Sequence, residues 1–247
     1  MADWNEPRRS QQGFGVSPTL NGEVAGRGAF DMGLRRHMLS IYNYMASGVL
    51  LTGIVALLFA QSGLALAVMT TPLAFVVMLA PLAIVFAMSF GQGRFSTGTL
   101  QAMFWGYAVL MGLSLSTIFL VYTGSSIAAT FFATAGAFAG LSLYGYTTQR
   151  DLTGMGSFLI MGVVGLLIAS LINMFLQSSG LSWAISFLGV LIFAGLTAYD
   201  TQKLKEQYAY VAGTEFAGKA IVMGALSLYL DFINMFLFLL RFMGNRN

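Results

Sequence analysis

Between residues 38 and 199 the sequence carries only three charged residues, Arg94, Arg150 and Asp151. Soluble domains contain roughly 25% charged residues, whereas this chain has 9% charged and 57% hydrophobic residues. A helix needs roughly 20 apolar residues to cross a bilayer core about 30 Å thick. The length of 247 residues therefore predicts one membrane domain with six or seven spans and no separate soluble domain.

The apolar runs predict an all-α polytopic membrane protein with two parts. Residues 1–30 are polar and rich in Gly and Ser, so we expect a disordered cytoplasmic tail there. Residues 31–247 then form a seven-helix transmembrane domain. The expected spans cover residues 38–60, 68–90, 101–122, 126–147, 158–176, 182–200 and 221–241.

The charges of the loops indicate the orientation of these spans. The tail and the even-numbered loops contain Lys or Arg, whereas the loops at 61–67, 123–125 and 177–181 are uncharged. Because cytoplasmic loops collect basic residues, we expect the N-terminus in the cytoplasm. With seven spans, Arg241 and Arg246 then fall outside. A re-entrant last segment would leave six spans, but residues 221–240 are long enough to cross, which favours seven.

The inventory of reactive side chains excludes several function classes. Cysteine is absent, and the one histidine, His37, precedes the first apolar run. Disulfides and thiolate metal sites are therefore excluded. Ser114 and Ser142 follow Gly-Leu pairs, but the membrane offers them no histidine or lysine for activation, so we expect no enzymatic activity. The net charge of +3 comes from few residues, and no basic stripe indicates nucleic-acid binding.

Asp200 and Asp231 are the acidic residues of the predicted spans. Asp200 ends the sixth span, and Asp231 lies about ten residues into the seventh. An ionised Asp at the centre of a membrane helix costs ~2.5–3.5 kcal/mol, so it should face protein or water. Ser227, Asp231 and Asn234 recur at i, i+4 and i+7 and give the last helix one polar stripe. We therefore expect this helix at the centre of the bundle.

The two carboxyls could meet if the sixth helix continues past the membrane edge. Carboxyls in contact are difficult to ionise together, so we expect the pair to share a proton. A Ca²⁺ ion could replace that proton, although Ca²⁺ takes six to eight oxygen ligands. Asn234, backbone and water would have to complete the shell, and Arg94 could contact the pair from the cytoplasmic side. No resident cofactor is expected, only transient Ca²⁺.

Two segments carry a resemblance to a known family. Residues 198–202 (AYDTQ) and residues 225–237 (ALSLYLDFINMFL), followed by Leu239-Leu-Arg241, resemble the Bax inhibitor 1 family, also called the transmembrane BAX-inhibitor-motif family. The seven-span layout extends the resemblance over about residues 38–243. The long N-terminal tail suggests a bacterial member of the inner membrane.

The resemblance implies a fold and a function. The last helix would be surrounded by six others, and Asp200 and Asp231 would gate a pH-sensitive Ca²⁺ leak. Some family members have a glutamate in the second span and an arginine near its cytoplasmic end. Here residues 68–90 contain no acidic residue, and Arg94 matches only approximately. The aspartate pair is then the sole candidate gate, with Ca²⁺ and protons as the species it handles.

A second function remains open from the sequence. The chain could instead be a regulatory membrane protein that acts through helix contacts with another membrane protein, such as a membrane protease. Relatives in this family act in that way. Such a protein needs no ion path, so neutralising both aspartates would leave its activity intact.

Overall fold

The structure is a computed structural model that describes the backbone of residues 18–247 and the side chains from Phe30 onward, except that of Met69. Seven of its helices are long and apolar enough to cross a membrane, which confirms the predicted all-α polytopic fold. The helices are α1 (Pro18–Gln61), α2 (Leu64–Met69), α3 (Leu73–Gly91), α4 (Thr97–Leu115), α5 (Ile118–Val121), α6 (Gly124–Thr147), α7 (Thr153–Leu176), α8 (Ser179–Val211) and α9 (Phe216–Met243).

Helix α1 begins earlier than the first predicted span. The tail predicted over residues 1–30 lies outside the described residues up to position 17, and from Pro18 the backbone is helical. Proline is favoured at the first position of a helix, where its missing N–H has no intrahelical partner to lose.

The second and third predicted spans are interrupted by hydroxyl side chains. Thr70 and Thr71 donate to the carbonyls of Ala67 and Val68 and end α2, so the second span starts at Leu73 rather than at residue 68. Ser116 likewise donates to a carbonyl three residues back, at 2.7 Å, where α4 ends. Such local hydrogen bonds compete with the helical ones, and hydropathy does not detect them.

Helix α8 continues eleven residues past the predicted end of the sixth span, to Val211. The added residues, 201–211, are rich in Lys, Gln, Glu, Leu and Ala, which favour helix even in water. With 33 residues α8 is about 50 Å long, longer than a bilayer core about 30 Å thick. This is the continuation on which contact between the aspartates depends.

Helix α9 crosses the whole bundle. It runs unbroken for 28 residues, and the chain beyond it meets the connection between α5 and α6. There the N–H of Asn247 donates to the carbonyl of Val121 at 3.0 Å, and the N–H of Thr123 donates to that of Asn245 at 3.1 Å. The α5–α6 connection lies at the opposite end from the α8–α9 turn. The alternative of a re-entrant last segment is therefore wrong.

The prediction that the last helix is central is confirmed. Of the most apolar 18-residue window of α9, 61% is buried, against 39% or less in the other spans. However, α9 packs against four spans, α8, α1, α6 and α4, whereas α3 packs on α4 and α7 on α8. The expectation of six surrounding helices is thus corrected. The two outer spans have the highest mean hydropathy, 2.5 each, because most of their surface faces lipid.

Small residues allow close helix contacts, though not at Gly136 and Gly140, which form a GxxxG pattern in α6. A Cβ added at Gly136 or Gly140 would meet no atom within 4 Å. At Gly145, by contrast, it would overlap the backbone carbonyl of Ala198, where α6 meets α8. The two helices therefore touch closely at Ala198, two residues before Asp200.

Candidate functional site

The candidate site lies between α8 and α9, the pair of helices that pack together most extensively. Asp200 lies on α8 and Asp231 on α9. Consecutive antiparallel helices bring residues equidistant from their turn to one level, so Asp231 lies about one helical turn deeper than Asp200. The fold places the two aspartates that the sequence singled out on adjoining helices.

Asp231 is almost completely enclosed. Its side chain is 4% exposed, and its Oδ2 atom is buried without a hydrogen-bond partner in the described part of the chain. A buried polar atom without a partner costs roughly 1–3 kcal/mol in stability, and more when it is charged. Because its neighbours on α9, Leu228 and Phe232, are buried core residues, an apolar residue would pack there without that cost.

Asp200 has a wetter environment. Its side chain is half-buried. Lys203, three residues further along α8, is exposed. The ammonium of Lys203 also lies 5.9 Å from the centre of the Tyr199 ring. Arg94, which the sequence proposed as the partner of the aspartates, is exposed in the turn between α3 and α4.

The other residues of the AYDTQ motif have structural roles. The backbone of Ala198 contacts Gly145, and the ring of Tyr199 lies against Gly156. The Oγ1 of Thr201 is 2.9 Å from the Oγ of Ser142. Gln202 accepts from the N–H of Leu152 at 2.9 Å and donates to a carbonyl of the α6–α7 connection at 2.8 Å. These contacts fix α8 against α6 and α7, and only Asp200 is left without such a role.

The supporting residue Asn234 is half-buried on α9. Its Nδ2 donates to the carbonyl of Leu230, at 2.8 Å, which leaves Oδ1 as an acceptor. Among the described residues, no three His, Cys, Asp or Glu side chains come together to hold a metal. The pair can offer up to four carboxylate oxygens, fewer than the six to eight that Ca²⁺ takes. The carboxylates of the pair alone would therefore leave a Ca²⁺ shell incomplete.

Asp151 is an acidic residue of a different kind. It lies exposed in the α6–α7 connection, where its Oδ1 accepts from the N–H of Thr153 at 2.8 Å. Hydrogen bonds from the side chain and the backbone of Thr153 lower the pKa of Asp151. Asp151 therefore serves the start of α7 and lies outside the candidate site.

Sequence reasoning missed two hydroxyl clusters inside the bundle. In the first, the Tyr42 hydroxyl lies 2.6 Å from the Oγ of Ser142, which also bonds Thr201 beside Asp200. In the second, the Thr52 Oγ1 donates to the Ala108 carbonyl and lies 2.7 Å from the Tyr229 hydroxyl. The cluster members come from three helices each, so no spacing along the sequence indicates them.

Comparison with known proteins finds one matching family and several similar proteins. Residues 34–247 match the family described as "Inhibitor of apoptosis-promoting Bax1". An uncharacterized protein of Rickettsia prowazekii is 51% identical over 228 residues, which is 88% of this chain and 92% of the relative. An uncharacterized protein of Caulobacter vibrioides is 49% identical over 227 residues, 87% and 90% of the two chains.

A third relative carries a descriptive name. The inner membrane protein YbhL of Escherichia coli is 46% identical over 218 residues, which is 87% of this chain and 93% of that protein. The family match covers every membrane-spanning helix, including the two that carry Asp200 and Asp231. This chain therefore belongs to the Bax inhibitor 1 family, to which its two aspartate motifs already pointed.

Proposed function

We propose that this chain is a pH-sensitive cation leak channel that conducts Ca²⁺, with Asp200 and Asp231 as its gate. The observation that carries the proposal is the Oδ2 of Asp231, which lies buried on the central helix without a partner in the described chain. That helix packs against α8, which carries Asp200. A carboxylate at membrane depth is expensive and serves a site more often than a packing role. Nothing in the packing of α9 requires an acid at this position.

The pair would act as a gate in two states. When the carboxyls share a proton, their mutual repulsion is relieved and α8 and α9 remain closed on each other. When the proton leaves, a Ca²⁺ ion takes its place and offsets both negative charges. Asp200 is the more exposed of the two and would meet the ion first, while Asp231 would compensate its desolvation deeper in the bundle.

The location and orientation belong to the same proposal. We place the chain in a bacterial inner membrane because YbhL, a relative similar over almost its whole length, is called an inner membrane protein. The basic residues in the tail, in the α3–α4 and α6–α7 connections and at the adjoining ends of α8 and α9 favour a cytoplasmic N-terminus. Asp200 would then lie near the cytoplasmic end of its span.

We also propose that the chain is not an enzyme. Ser142, one of the serines that follow Gly-Leu, is bonded to the hydroxyls of Tyr42 and Thr201. Neither hydroxyl is a general base, so this serine has no activating group. These contacts support a structural role that joins α1, α6 and α8.

The test is Ca²⁺ entry into proteoliposomes that contain a Ca²⁺ dye, measured from pH 5 to pH 8. We expect the wild-type leak to change with pH, and Asp231→Asn to lower Ca²⁺ flux about tenfold or more, because losing ~1.4 kcal/mol of charge compensation already gives that factor. Asp200→Ala should raise the resting leak by breaking the closed pairing. The control is Asp151→Asn, which removes an exposed carboxylate outside the bundle.

Wild-type flux equal to that of empty liposomes at every pH would contradict the channel. The regulatory function that the sequence left open would then be preferred. Equal losses in Asp151→Asn and Asp231→Asn would also contradict the proposal, because they would indicate a general surface-charge effect.

A further inference from the structure

A lateral groove lies between α1 and α6, which flank α8 and α9 without packing closely on each other. Its volume is about 530 Å³, within the range of roughly 300–1,000 Å³ typical of ligand pockets. Leu39 and Leu143, on opposite walls, are 50% and 64% exposed. At this depth their exposed surface faces lipid, so the groove opens sideways into the membrane.

The groove has the length of one leaflet. On α1 its lining runs from Arg35 to Ala46, and on the antiparallel α6 from Tyr146 back to Phe138. The eleven helical steps from Arg35 to Ala46 rise roughly 16 Å, about half of a bilayer core ~30 Å thick. A separate cavity continues along the same seam in the other half of the bundle, beside Val49 and Phe131. The first groove therefore matches an acyl chain from one leaflet, not a molecule that crosses both.

One end of the groove is basic. Arg35 lies at the end towards the face of the bundle that carries Arg94 and Arg150, and it is exposed. Beside Tyr146, at the same end, the ammonium of Lys205 donates to the Tyr146 carbonyl at 2.9 Å and lies 5.4 Å from the ring centre. None of the groove's lining residues in the described chain is acidic.

The walls between this end and the bundle centre are apolar. Met38, Leu39 and Met45 line one side, and Phe138, Ala139 and Leu143 the other. The polar lining atoms there, the hydroxyls of Tyr42 and Ser142, are already bonded to each other at 2.6 Å. The groove thus offers a charged group for a headgroup at its membrane-surface end and hydrocarbon contacts below it.

We propose that this groove binds one acyl chain of an anionic phospholipid, with the lipid phosphate held by Arg35. Basic pockets between membrane helices are known to take anionic headgroups. A guanidinium matches a phosphate with two parallel hydrogen bonds. The bound chain would lie against Tyr42 and Ser142, the hydroxyls that connect α1 and α6 to Thr201 on α8. The proposal uses neither aspartate and stands apart from the channel function.

The test measures phosphatidylglycerol retained by the detergent-purified full chain in native mass spectrometry, with phosphatidylcholine as the neutral comparison. We expect wild type to prefer phosphatidylglycerol, and Arg35→Gln to weaken its binding about fivefold, the factor for one basic residue near a lipid surface. The matched control is Arg36→Gln, since Arg36 is equally exposed but does not line the groove.

A second pair of variants tests the acyl-chain contact. Ala139→Phe fills the groove, whereas Ala137→Phe adds the same ring to an exposed α6 position outside it. Only the first should reduce lipid retention. Equal losses in Arg35→Gln and Arg36→Gln would overturn the proposal, because they indicate diffuse attraction to the basic face. Retention that Ala139→Phe leaves unchanged would overturn it as well.

Discussion

Helices α7 and α9 are both apolar membrane spans, but they occupy opposite places in the bundle. The mean hydropathy of α7 is 2.5, and 11% of its most apolar 18-residue stretch is buried. For α9 the mean hydropathy is 1.8, and 61% of the corresponding stretch is buried. In a water-soluble protein the most apolar helix would be the most enclosed. Here lipid solvates the apolar side chains, so the less apolar helix is the one at the centre, and it carries Asp231.

The difference shows what holds each helix in place. Lipid tails are as apolar as leucine, so burying an apolar side chain of α7 against protein gains little. Helix α9 is held by close packing and by hydrogen bonds such as that between Tyr229 and Thr52. The interior is therefore the part of the molecule where single substitutions should have large effects.

The largest expected effect compares two leucines. Leu228 on α9 is fully buried, and Leu171 on α7 is 58% exposed. Leu228→Ala should lower the free energy of unfolding by ~2–5 kcal/mol because it leaves a cavity. Leu171→Ala should change it by less than ~0.5 kcal/mol, because lipid refills the space. Thermal or denaturant unfolding in bicelles measures the stability of both variants. Equal destabilisation by the two substitutions would contradict the proposed difference between α7 and α9.

A smaller effect is expected for two glycines of α6. Gly145→Ala places a methyl group against the Ala198 carbonyl and should destabilise by ~1–3 kcal/mol through overpacking. Gly140→Ala meets open space and should stabilise by up to ~1 kcal/mol through helix propensity. The same unfolding assay applies. Destabilisation by Gly140→Ala would show that this GxxxG is a contact surface after all.

The smallest effect concerns the aspartate pair itself. In a double-mutant cycle for stability, Asp200→Asn and Asp231→Asn should differ from additivity by at least ~0.5 kcal/mol, because a shared proton is lost once. The control cycle pairs Asp231→Asn with Asp151→Asn, whose effects should add since Asp151 lies exposed in a loop. Additive effects in both cycles would show that the two carboxyls act independently.

Sequence reasoning located the spans and the central helix, and it singled out the two aspartates, because each has a one-dimensional signal. Charge is absent from residues 38–199 except in loops, and an acid within an apolar run stands out. It missed the break at Thr70 and Thr71, which comes from local hydroxyl bonds rather than from hydropathy. It also proposed Arg94 as a supporting residue, and this residue lies exposed in the turn between α3 and α4.

Other features depend on which helices become neighbours. The bond between Tyr42 and Ser142 joins residues 100 positions apart, and the open seam between α1 and α6 is a property of the assembled bundle. A GxxxG is equally visible in the sequence whether it faces protein or lipid. The spacing of residues along the sequence therefore predicts the helices of this fold but not which helices pack together.

The attachment of α9 at both ends limits how the bundle can move. At one end the short α8–α9 turn, residues 212–215, ties it to α8. At the other, Asn245 and Asn247 form backbone hydrogen bonds with Thr123 and Val121. A piston-like slide along the helix axis would break these bonds, each worth roughly 0.5–1.5 kcal/mol. If Asp231 moves relative to its surroundings, we therefore expect α9 to rotate in place or the neighbouring helices to move.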